Sequence, residues 1–125
     1  MIDLLNKELR SRDIRKLVEP NLYKVSWDLG VDKTSEWVMA SFEDVTHTQK
    51  IRSWLNSKDV SDSTKAIVTD TAWSELQQIT WGTLCNNPKH YFSQEHILVV
   101  SADRSWILEY APQQILRFGR WKNET

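Results

Sequence analysis

At 125 residues the chain has the size of one ordinary domain, and 40% hydrophobic against 26% charged residues places it outside the disordered and coiled-coil classes. A formal net charge of −1 excludes the strongly basic balance of a generic nucleic-acid binder. One cysteine, Cys85, cannot close an intramolecular disulfide, and acidic groups stand among residues 1–8 where a secretory leader carries positive charge, so a reducing cytoplasm is expected. Apolar runs are no longer than Ile97–Val100, far short of the roughly 20 residues that span a bilayer.

Residues 2–18 look helical, but Ile2, Leu5 and Leu9 share one face and Ile14, Leu17 and Val18 another. The spacing predicts two short helices broken near Ser11, with Ser11 as N-cap, Asp13 in the first turn and a stop at Glu19-Pro20. Leu22–Trp27 reads as a short strand ending at the turn Asp28-Leu29-Gly30. Residues 35–42 fit strand or helix equally. Val45–Ser57 is helical, with Ile51, Trp54 and Leu55 toward the core, and Lys58–Ser63 reads as a polar surface loop.

Lys65–Thr69 reads as a strand or as the lead-in to a helix. From Thr71 to about Leu84 the spacing of Trp73, Leu76, Ile79, Thr80 and Leu84 predicts a helix, ended by Asn86-Asn87-Pro88. Ile97–Val100, Trp106–Tyr110 and Ile115–Trp121 then form an antiparallel meander. The expected fold is a single α+β domain over residues 1–125: a C-terminal three-stranded meander, open to extension by one or two N-terminal strands, with helices covering one face.

No catalytic signature accompanies these elements. Cys85, His90 and His96 have none of the close pairing of zinc ligands, so neither a metal nor a cofactor is expected. Glu95-His96, with Asp103 and Glu109 across the hairpin, is the best acid–base pair an enzyme could use here. Arg10, Arg12, Arg15 and Lys16 form the cluster a nucleic-acid-binding accessory protein would use, although Glu8, Asp13 and Glu19 interleave with them.

The strongest signal is seven tryptophans. Trp54, Trp73 and Trp106 fall on core stripes, whereas Trp27, Trp37, Trp81 and Trp121 do not. Residues 19–75 also hold ten of the 17 acidic groups. Surplus indoles beside carboxylates imply a non-enzymatic binding protein acting by occlusion, of the inhibitor or toxin-neutralising type. Its interface would comprise Trp27, Asp28, Asp32, Glu36, Trp37, Glu43 and Asp44, facing a protein with a basic surface.

Overall fold

The computed structural model describes residues 2–30, 34–92 and 95–121. Helix α1 (Ser11–Val18) runs into a 3-10 turn (Glu19–Lys24), strand β1 (Val25–Trp27), strand β2 (Val38–Met39) and helix α2 (Val45–Asn56). Strands β3 (Lys65–Asp70) and β4 (Leu76–Thr80), helices α3 (Trp81–Asn86) and α4 (Pro88–Tyr91), and strands β5 (Ile97–Ser101), β6 (Trp106–Ala111) and β7 (Ile115–Trp121) complete the chain. The seven strands form one antiparallel sheet in the order β1-β7-β6-β5-β3-β4, with β2 also pairing to β7. The α+β class and the C-terminal meander β5-β6-β7 are as the sequence indicates.

The sheet is covered on both faces, not one. Alternate side chains of each strand point to opposite faces, so Val99, Trp106, Leu108, Tyr110, Leu116 and Phe118 join Ile51, Trp54 and Leu55 of α2 and Trp81 and Leu84 of α3 in one core. Ile67, Leu98, Val100 and Ile107 join Leu4, Ile14 and Val18 in a second core beneath α1. Two indole N–H groups tether that second layer: Trp73 Nε1 donates to Glu19 Oε1 at 2.8 Å, and Trp121 Nε1 to the Asn21 carbonyl at 2.9 Å.

Three local expectations are corrected. Residues 2–9 are not helical, because Asp3 Oδ1 and Asn6 Oδ1 accept the amides of Leu5 and Glu8 (both 3.0 Å), and such local turns compete with helix. Helix α1 is capped one residue early, at Arg10, whose amide donates to Asp13 Oδ2 at 2.9 Å. The helix expected over residues 71–84 is a turn, the strand β4 and then α3. Asp70 accepts both the amide and the hydroxyl of Ser74, and Trp73 takes a left-handed φ of 57°, so the chain reverses onto β3. Thr80 is the actual helix cap, its Oγ1 accepting the Thr83 amide at 3.3 Å.

Trp81, which the misread helix leaves off its stripe, is among the largest fully buried side chains. Its ring meets Trp106 and Phe118 edge-on at centroid distances of 4.9 and 5.9 Å, a favoured geometry for aromatic pairs. Trp54, Trp73 and Trp106 are buried as well. Trp81→Ala should cost about 3–5 kcal/mol, the range for truncating a large buried aromatic. An unchanged denaturant midpoint in that variant would show that the three-ring contact does not hold helix to sheet.

Candidate functional site: the interrupted edge strand and its groove

β1 and β2 behave as one interrupted edge strand. Val25, Ser26 and Trp27 lie opposite Trp121, Arg120 and Gly119, and Val38 and Met39 opposite Leu116 and Ile115 of the same strand β7. Between these two runs the described residues, 28–30 and 34–37, make an excursion outside the strands. Their base is pinched where the Gly30 amide donates to the Ser35 carbonyl at 2.6 Å. A Cβ at Gly30 would lie 2.8 Å from that carbonyl oxygen, so only glycine fits there.

Most of the acidic and aromatic residues proposed as an interface hold this excursion onto its own sheet. The Arg117 guanidinium of β7 lies 3.7 Å from the Trp27 ring centroid and 4.5 Å from that of Trp37. Its Nη1 donates to Glu36 Oε1, while Nε and Nη2 reach Glu109 Oε1 at 2.7 and 2.6 Å. The second Glu109 oxygen meets His96 Nε2 at 2.7 Å. With its donors on two carboxylates and both indoles against it, Arg117 acts as an internal clamp.

Asp28 is engaged similarly, by Lys58 Nζ at 3.2 Å and Arg120 Nη1 at 3.1 Å. Lys58 is buried, not exposed on a surface loop as the sequence suggests, because its ammonium sits over the Trp54 ring at 4.5 Å. Of the remaining proposed residues, Glu43 and Asp44 are exposed at the start of α2, where Asp44 Oδ1 caps the helix through the Thr46 amide at 2.7 Å. Asp32 lies outside the described residues.

Trp37 also borders a groove of about 760 Å³ between β2 and α2, lined by Val38, Met39, His47, Ile51 and Trp54 among others. Met39 on its lining is 68% exposed, and Val45, one residue before Thr46 of the lining, is 75% exposed. Neither carries a sequence signal of its own, since each reads as a strand or helix residue awaiting a core. Only the placement of β2 at the sheet edge exposes Met39.

The other candidate groups are dispersed. Glu95 and His96 line different cavities: Glu95 one of about 760 Å³ with Asp70, Glu75 and His90, and His96 one of about 190 Å³ with Glu19, Glu109 and Arg117. Among the described residues no group of three or more His, Cys, Asp or Glu side chains could hold a metal ion. Cys85 is buried, and burial pushes its thiol up to about 11, with Asp62 adding to the shift and Arg52 opposing it. On α1, Arg12 and Lys16 are exposed and Arg15 pairs with Glu19 at 2.8 Å. Among the described residues no helix is long and apolar enough to cross a membrane. Comparison with protein-family models, curated proteins and solved structures finds no match to this chain.

Two outcomes follow. Arg117→Lys keeps the charge but cannot fork between Glu36 and Glu109 while lying flat between two indoles, so it should destabilise by about 1–3 kcal/mol. A denaturation midpoint equal to the parent's would mean that the clamp contributes nothing. At pH 8 a thiol reagent should label Cys85 at least about 100-fold more slowly in the folded protein than in urea, since burial and the raised pKa both deny it thiolate. Well below pH 9 the thiol is largely protonated in both states and its shift leaves stability unchanged. As pH rises from 9 toward 11 only the unfolded thiol ionises, so stability falls over that window.

Proposed function

We propose that this chain is a small cytoplasmic protein-binding module that works by covering its partner, as an inhibitor or a toxin-neutralising protein does. The docking surface is centred on Met39 and Val45, with Trp37 at its inner margin and Glu43 and Asp44 at its rim. The observation that carries the reading is the exposure of Met39 on the lining of the apolar β2–α2 groove, with Val45 exposed one residue before Thr46 of that lining. An apolar centre bounded by charge is the usual anatomy of a protein interface. Glu43 and Asp44 favour a partner that presents an apolar anchor among basic groups, and such rim charges act chiefly on the rate of encounter.

Asp28, Glu36 and Trp27 support the surface from behind: they fix the excursion on β7 through Arg120 and Arg117, and so set where Trp37 and β2 lie. Their removal would change the fold before it changed contact with a partner.

A photo-crosslinking residue at position 45 should trap a discrete protein in the native host, and one at position 12 on α1 should not. Met39→Asp should abolish the adduct and weaken binding of the trapped partner by at least about 2 kcal/mol, as for an interface anchor, with an unchanged melting temperature. Crosslinking from position 12 alone, or generic RNA or DNA binding that falls linearly in log affinity with log salt, would replace this reading with the nucleic-acid one.

A further inference from the structure

The charged groups along the β2–α2 groove fall in a fixed order. Glu43 and Asp44 stand exposed at the start of α2, Asp44 capping the helix two residues before Thr46, where the lining begins on α2. Lys50 follows six residues after Asp44, also exposed, and is the one lysine or arginine of a lining that contains no carboxylate. Met39 stands between the acidic end and the lysine, because its carbonyl lies 2.9 Å from Nε2 of His47, three residues after Asp44 and three before Lys50. The arginine of α2, Arg52, is committed elsewhere: its Nε donates to the Cys85 carbonyl at 3.1 Å and its Nη2 to Asn86 Oδ1 at 3.2 Å. Among the described residues neither Glu43 nor Lys50 forms an ion pair.

A helix rises about 1.5 Å per residue, so roughly 9 Å separate the acidic end from the lysine. An occupant that answers this order carries a cation, an apolar side chain and an anion in line over that distance. Same-side residues of an extended strand repeat every ~6.7 Å, so one step falls short and two overshoot at ~13 Å. On a helix, residues i, i+3 or i+4, and i+7 share a face and span about 10.5 Å. Direction follows from charge. A helix favours carboxylates near its own N-terminus and cations near its C-terminus. That order places the acid on Lys50 and the cation on Glu43 and Asp44 only when the incoming helix runs antiparallel to α2, which also sets the two helix dipoles in opposition.

We propose that the groove takes an amphipathic helix of the partner protein, antiparallel to α2, with an acidic residue at i on Lys50, an apolar residue at i+3 or i+4 on Met39, and a basic residue at i+7 on Glu43 and Asp44. The proposal rests on the reading of this groove as a docking surface and adds the occupant and its polarity. The apolar residue is the anchor, since it covers the exposed thioether of Met39 on a lining that also holds Trp37, Val38, Ile51 and Trp54. The two charged ends choose direction. A helix entering the other way would set like charges together at both ends, and such repulsion discriminates more than the matching attraction adds.

Two synthetic helical peptides of identical composition test it, one with glutamate, leucine and lysine at i, i+4 and i+7, the other with the glutamate and lysine exchanged. Titration followed by tryptophan fluorescence should give the first peptide a Kd at least about tenfold lower than the second. The methyl resonance of Met39, one of two methionines in the chain, should shift on binding. Lys50→Glu makes both ends of the groove acidic, so the preference between the peptides should disappear, with circular dichroism and melting temperature as in the parent because the side chain is exposed. Equal affinity of the parent for both peptides, a preference for the exchanged one, no binding of either at millimolar concentration, a Met39 methyl that does not move, or a preference that survives Lys50→Glu would each overturn the proposal. A protein trapped from position 45 together with indifferent peptides would retain the docking surface and remove this occupant, so the two failures are distinguishable.

Discussion

Strands β5 and β6 are apolar on both faces, and the architecture follows from the need to cover both. Val99 and Leu108 look toward α2 and α3, and Leu98, Val100 and Ile107 toward α1. Each large apolar side chain taken from water contributes about 1.5–3 kcal/mol. The layer of residues 2–24 supplies Leu4, Ile14 and Val18 to the second of these covers. Its attachment uses the polar ends of two indoles, Trp73 and Trp121, whose hydrogen bonds to Glu19 and the Asn21 carbonyl set its position on the sheet.

The same economy governs charge. The acidic middle of the chain looks like a steering surface when its residues are counted along the sequence, but Asp28 and Glu36 meet Arg120 and Arg117, which lie far away in sequence and adjacent in space. Excess negative charge in one segment and arginines in the last strand neutralise each other across the fold. Glu43 and Asp44 are left exposed at the start of α2, next to the exposed Val45.

Elements with a strong local pattern were legible: the meander, and α2 with Ile51, Trp54 and Leu55 inward; residues 65–69, which read as a strand or as the lead-in to a helix, form β3. Residues 71–84 were not, for a physical reason. An edge strand buries one residue, Ile79, so period-2 alternation is faint. The two turns that bound β4 also happen to space Trp73, Leu76, Ile79 and Leu84 as a helix would. Asp70 four residues before Ser74, and Thr80 three before Thr83, are the signals that mark the turn and the true cap. The burial of Lys58 had no sequence signature, because it depends on Trp54, Phe118 and Asp28 arriving from three elements. The clamp on Arg117 was hidden likewise: its two indoles were visible as residues without a core stripe, and their shared cation was not.

Both ends of the 28–37 excursion are fixed on one strand, and its base is closed by Gly30 and Ser35. Chain added or removed beyond that pinch leaves the register of β7 untouched and changes only a loop-closure entropy that grows slowly with length, by about 0.6 kcal/mol per doubling. The register of β1 and β2 on β7 is therefore insulated from the length of the connection between Gly30 and Ser35.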